Sequence, residues 1–275
     1  MNHMEPYKID YHLHCHASFD SEASLSDMVE ALLQRGFQEI CFTDHWDIME
    51  KTPSTQIFDF EERDQELEKV IEKYRGKMKI RKGVELGQPW KNKKQTDEFM
   101  KISDGKLDYI IGSIHNVYQD DDLGWSDFTT CDLRKIYEDY IDALIHMVKN
   151  YEFDMLGHIT YPSRYMLENN QIHYDLTPHY EQFEYLFSTA VDHGIGIEIN
   201  TSGFFRGLMD LMPTEKLIDL YRQCGGELIT VGSDAHRPQH AGIGNEKAME
   251  VLKRLGFSYY CSFENRKPIM HKVGD

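Results

Sequence analysis

In this 275-residue chain, histidines and carboxylates recur at one place, the carboxyl ends of short apolar runs. The first run closes on His12-Leu13-His14, and the next ends in CFTDH at His45. KGVELG follows with Glu85, IIGSIH with His115, FDMLGH with His158, and VGSDAH with Asp234 and His236. Asp20 comes shortly after His14 in FDSEAS. Side chains two apart on a strand share a face, so His12 and His14 can grip one cation, at about 2.0–2.1 Å per Zn–N bond. Taken singly, any of these histidines could be a hydrogen-bonded surface imidazole. Independent histidines, however, have no reason to choose the same end of every run. Mixed imidazole and carboxylate donors suit Zn, Fe and Mn alike, so ligand type leaves the metal's identity open.

His16 continues the period of His12 and His14 but falls past the expected strand end, which makes it a lesser candidate. His3, His146, His173, His179, His193, His240 and His271 lie in tails, helices or loops outside the pattern. Cys15 and Cys41 flank ligand positions yet read as packing residues.

The runs that position these groups are strands expected at 8–13, 39–43, 78–85, 107–114, 153–157, 195–200 and 227–232. Amphipathic helical patterns begin between them near Leu25, Phe60, Gln95, Asp132, Pro178, Thr214 and Asn245. Thr177 ahead of Pro178, and His193-Gly194 beyond the following pattern, supply start and stop signals for one helix. Strands as continuously apolar as YIIGSI and ELITVG imply a parallel α/β sheet covered by helices, either open or closed into a barrel. In such folds the carboxyl ends of the strands share one face, where sites form. The longer connections at 47–59, 116–130 and 161–177 are expected to be loops shaping a pocket.

Composition narrows the function. Forty-seven acidic against 30 basic residues give a formal charge of −17, and no Lys/Arg cluster forms a phosphate-tracking stripe, so nucleic acid is not an expected partner. No apolar run approaches the roughly 20 residues of a membrane span. The opening MNHMEPYKIDYHLH lacks the apolar core of a signal peptide, and five scattered cysteines suggest neither disulfides nor a thiolate metal knuckle. A cytoplasmic protein forming a single domain over 1–275, without linker or repeat, is expected.

DYHLHCH, TDH, GVELG, GSIHN, GHIT and GSDAH, in this order from His12 to His236, resemble the polymerase-and-histidinol-phosphatase (PHP) superfamily over nearly the whole chain. DYHLHCHASFDSEA and INTSGFFRG most resemble its histidinol-phosphate phosphatase branch. The resemblance implies a distorted (β/α)7 barrel with parallel strands and a centre of three divalent ions (Zn, Fe or Mn). His12, His14, Glu85 and Asp234 would hold the first ion, and Glu85 would bridge to a second held by His115 and His158. Asp20, His45 and His236 would hold the third, although some members carry histidine where Asp20 stands. The implied reaction is hydrolysis of a small-molecule phosphomonoester, L-histidinol phosphate, to L-histidinol and phosphate in histidine biosynthesis. Paired divalent ions activate water and clamp phosphoryl oxygens for in-line displacement.

Arg164 and Arg206, in loops at the same face, offer planar forks for the phosphate, with Arg237 in reserve. Asp234 or His236 would protonate the leaving oxygen. The alternatives are a phosphatase for a sugar phosphate, a nucleotide or phosphotyrosine, and a non-catalytic domain that keeps its metals while binding a partner.

Overall fold

A computed structural model describes residues 7–50, 57–118 and 122–274, so His3 and parts of the 47–59 and 116–130 loops lie outside the described residues. The main strands are β1 (Ile9–Leu13), β2 (Glu39–Phe42), β3 (His45–Asp47), β4 (Lys79–Gly87), β5 (Tyr109–Ser113), β6 (Met155–Leu156), β7 (Gly196–Asn200) and β8 (Ile229–Gly232). All pair in parallel in the order β1-β2-β4-β5-β6-β7-β8. β3 continues the line of β2 after a break at Thr43-Asp44: β2 pairs with residues 79–82 of β4, and β3 with Glu85–Gly87. Just past β8 the sheet meets β1 again, where Asp234 N–H donates to the His12 carbonyl at 2.8 Å and His14 N–H to the Ala235 carbonyl at 3.0 Å. The open-or-closed question is thereby decided for a distorted seven-stranded barrel.

The helices follow from local signals. α1 (Leu25–Gln34), α2 (Phe60–Lys73), α3 (Lys93–Ser103) and α4 (Leu133–Asn150) are each preceded by a Ser, Asp or Asn whose side chain accepts a first-turn N–H. α3 starts two residues before the expected Gln95 because Asn92 caps it. α5 (Tyr161–Asn170) occupies most of the stretch expected to be a loop, and α6 (Tyr180–Asp192), α7 (Glu215–Gln223) and α8 (Asn245–Leu255) complete the outer layer. Thr177 makes no side-chain cap; Asp175 Oδ1 instead accepts from its N–H at 3.0 Å and its hydroxyl at 2.7 Å, turning the chain into α6. Gly194 follows α6 at φ +71°, as its stop signal requires.

Sequence reading did not foresee the antiparallel hairpin of β9 (Tyr259–Glu264) and β10 (Lys267–Lys272). It covers the amino end of the barrel: Arg266 N–H donates to the Asp108 carbonyl at 2.9 Å, Asn265 N–H to Asp108 Oδ1 at 3.0 Å, and Phe263 N–H to the Tyr11 hydroxyl at 2.9 Å. With that end closed, the opposite end is where the barrel interior can meet solvent. Among the described residues no helix is long and apolar enough to cross a membrane.

Candidate metal centre

All nine metal-ligand candidates come together at the carboxyl end of the barrel, and most of them are buried. His12 lies in β1 and His14 directly after it, His45 opens β3, and Glu85 sits in β4. His115, His158, Asp234 and His236 follow β5, β6 and β8. Glu85 is central, and its two oxygens face different partners. Oε1 lies 2.8 Å from His158 Nε2 and 3.1 Å from His115 Nε2. Oε2 lies 3.2 Å from His12 Nε2, 3.5 Å from His14 Nε2 and 3.0 Å from His45 Nδ1. Asp234 Oδ1 completes the His12–His14 side at 3.7 and 3.4 Å. Toward the mouth, Asp20 stands 2.9 Å from His236 Nε2 and 3.6 Å from His45 Nε2. His16 lies apart from this cluster, paired with Glu66 on the surface.

This donor set fits divalent cations. Donors tetrahedrally placed 2.0–2.1 Å from one ion are about 3.3 Å apart, the range seen between these atoms. Basic nitrogens are also aimed at one another: His115 Nε2 is 3.3 Å from His158 Nε2, and His45 Nε2 is 3.5 Å from His236 Nε2. His12 Nε2, His14 Nε2, His45 Nδ1 and Glu85 Oε2 are buried without a hydrogen-bond partner. Buried polar atoms in such a group ordinarily require a ligand. Compact groups form around His12, His14 and Asp234, around His45, Glu85 and His115, and around His14, His45 and His236. Burial, reinforced by the His236 and His45 imidazoles, pushes His14 down to about 3. Burial works to raise Glu85, but His12, His115 and His45 outweigh it and hold the carboxyl well below its usual range.

The residues behind these donors escaped sequence reading. Asp47 Oδ1 lies 3.0 Å from His115 Nδ1, and Glu198 Oε1 lies 2.7 Å from His12 Nδ1. Ser18 Oγ, 3.0 Å from His14 Nδ1, donates to Asp44 at 2.9 Å, and Asp44 in turn accepts from the buried Arg63 at 2.9 Å. The available signal was a charge inside an apolar strand, as in GIEIN, or two residues from a ligand, as in HWD. Such contacts orient ligating imidazoles and set their tautomers.

The arginines differ from one another. Arg164 is buried, with Nη1 donating to Asp234 Oδ2 and Ser202 Oγ, both at 3.0 Å, and its guanidinium stacked over Tyr161 and Tyr165. Nη2 donates to the Tyr165 hydroxyl at 2.6 Å, so both arms of the fork are engaged, although Nε has no partner. Arg164 and Arg206 line one cavity together with His45, His115, His158 and Asp234, and Arg206 has a third of its side chain exposed, 4.0 Å from Glu168. Arg237 lines a neighbouring cavity that meets the first at Phe19, Asp20 and His236.

A parallel barrel with imidazoles and carboxylates converging at its carboxyl end defines a class. The chain belongs to the PHP domain family, whose sequence profile matches residues 10–202. It is 29% identical over 274 residues to the histidinol-phosphatase of Lactococcus lactis, an alignment covering 94% of this chain and 96% of that one. It is 29% identical to a probable histidinol-phosphatase of Thermotoga maritima, covering 91% and 94%. The crystal structure of the Lactococcus lactis histidinol phosphate phosphatase, complexed with zinc, L-histidinol and phosphate, superposes with a TM-score of 0.83 at 25% identity, covering 96% of this chain and 99% of that one.

Proposed function

We propose that this protein is a metal-dependent phosphomonoester hydrolase that converts L-histidinol phosphate and water to L-histidinol and phosphate. The observation that carries the reading is Glu85, whose oxygens divide between two sets of imidazoles, of which His45, His115 and His158 line a cavity bordered also by Arg164 and Arg206. The named relatives, aligned over nearly the whole chain, support the same reading.

In this proposal His12, His14, Glu85 and Asp234 hold one divalent ion, Glu85, His115 and His158 a second, and Asp20, His45 and His236 a third; Zn, Fe and Mn all suit these donors. When bound, such ions supply an activated water and neutralise charge on a phosphoryl group. Arg206, the more open guanidinium, takes the outer phosphate oxygens. Arg164 reaches the same cavity while holding Asp234 in place. That contact favours the bare Asp234 carboxylate, and His236 would protonate the leaving oxygen only while its Nε2, which faces Asp20 and His45, is free of the third ion, since a ligating nitrogen carries no proton. Phe19, Trp125 and Asp122 border the cavity as well, two aromatic faces and an acid that suit a cationic imidazole ring and amine.

Steady-state kinetics on metal-reconstituted protein test the reading. The kcat/KM for L-histidinol phosphate is expected to exceed that for p-nitrophenyl phosphate by orders of magnitude, because contacts to the ring and amine add binding energy a generic ester lacks. Equal efficiency on both would leave a phosphatase for another monoester. No turnover of either would favour a metal-holding interaction domain.

A further inference from the structure

Glu198 lies in β7 between Ile197 and Ile199 and is fully enclosed. A carboxylate so placed must be answered by donors, since water cannot reach it. Among the described residues its one ion-pair partner is His12; no lysine or arginine reaches it. Its oxygens serve two ligand positions at once. Oε1 lies 2.7 Å from His12 Nδ1, while Oε2 accepts the backbone N–H of His158 at 2.9 Å and the Asn200 amide at 3.1 Å. Those two histidines come from different strand ends, after residues far apart in the chain. His158 depends on this contact in a particular way, because its Nδ1 is buried without a partner and its ring has no polar anchor on that side. The strand behind leaves the pair no slack: a Cβ on Gly232 would stand 2.3 Å from Glu198 Oε1 and 2.4 Å from the Cβ of His12.

We infer that Glu198 is a positioning residue for the metal centre: by accepting from Nδ1–H it fixes the tautomer of His12 that leaves the Nε2 lone pair facing Glu85 and Asp234, and by accepting from His158 N–H it sets the turn that aims His158. The inference rests on the metal-centre reading above. It touches no substrate atom; it acts through two ligands on different strands, so one side chain coordinates the two halves of the bridged pair.

The variant Glu198→Gln separates positioning from simple packing. Both carboxylate oxygens accept, and an amide has only one acceptor. An NH₂ turned toward His12 would donate to Nδ1 and drive the ring's proton to Nε2, consuming the lone pair that faces Glu85. Turned toward His158, it would oppose another donor and displace the turn. Either arrangement raises the zinc dissociation constant about 10- to 100-fold, measured by chelator competition. Glu39→Gln is the control: Glu39 is an equally buried carboxylate at the amino end of the barrel, held by Tyr11 at 2.6 Å and Arg81 at 2.9 Å. Its zinc affinity is expected to stay within about twofold of the parent's. The tautomer is read directly by ¹⁵N NMR of the zinc-loaded parent chain, which needs no variant to fold: His12 protonated at Nδ1 is expected, and a proton at Nε2 overturns the inference. Parent-like zinc affinity in Glu198→Gln also overturns it while leaving the metal centre standing. A parent chain that binds no zinc overturns the metal-centre reading itself.

Discussion

Glu85 is the residue on which the two inner sets of imidazoles depend, since it presents one oxygen to His115 and His158 and the other to His12, His14 and His45. Glu85→Ala leaves five imidazoles without their shared anion. We expect bound metal and turnover to fall together, with kcat reduced about 10²–10³-fold or more. Elemental analysis showing undiminished metal in that variant would remove Glu85 from the bridging role. Arg206→Lys is the contrasting case. Lysine keeps the charge but not the fork, and losing one charge-assisted bond, about 1.5–3 kcal/mol, lowers kcat/KM about 10- to 100-fold with metal content intact. Kinetics unchanged by that substitution would move the phosphate arm to Arg164 or Arg237.

At the scale of elements, the ligands depend on how closely neighbouring strands approach. Gly232 ends β8 where β1 passes directly behind it, and a Cβ there would meet Glu198 Oε1 at 2.3 Å, His12 Cβ at 2.4 Å and the His12 nitrogen at 3.1 Å. Neither backbone nor a strand-bound Cβ can step aside cheaply, so Gly232→Ala should cost about 1–3 kcal/mol of stability and lower zinc content as His12 is pushed off its line. A thermal melt and metal assay matching the parent would show that β1 and β8 have more room than this contact allows. The elements missed at this scale share a cause. α5 ends on Gln171 at φ +58° and not on the usual glycine, and it is anchored by tertiary burial of Tyr161, Arg164, Met166 and Leu167. The β9–β10 turn places Asn265 and Arg266 at φ +51° and +61°, where Asn-Gly would have announced a hairpin.

For the molecule as a whole, the centre gathers Glu85, Asp234, Asp47 and Glu198 into the interior of a chain already at −17. Bound cations would offset that concentrated charge in the folded state alone, so metal binding adds to stability by mass action. At a metal concentration 100 times the dissociation constant the gain is about 2.7 kcal/mol per site. For a chain of this size that corresponds to a rise in melting temperature of about 5–10 °C. Chelator-stripped protein should therefore melt lower, and added zinc should restore the loss. Identical melting curves before and after stripping would show that these donors hold no stabilising cation.

Much of the site was legible in the sequence, because a metal centre on a parallel fold has a local signature: most donors lie in a strand or within a few residues of one strand's carboxyl end, so HLH, TDH, VELG, SIH, LGH and SDAH carry their positions with them. The alternation of apolar strands and amphipathic helices likewise determined a parallel α/β layering. Closure of the sheet was a tertiary decision, made where β1 and the end of β8 exchange hydrogen bonds across more than 200 residues. So was the standing of Arg164, which sequence offers as a free fork and the fold ties to Asp234 and Ser202. Glu198 and Asp47 belong with these, since a carboxylate gains its role here only from the imidazole that another strand sets beside it. Ligand positions are written in short spacings along the chain, whereas the groups that orient them are chosen by which strands become neighbours, and only the folded barrel determines that.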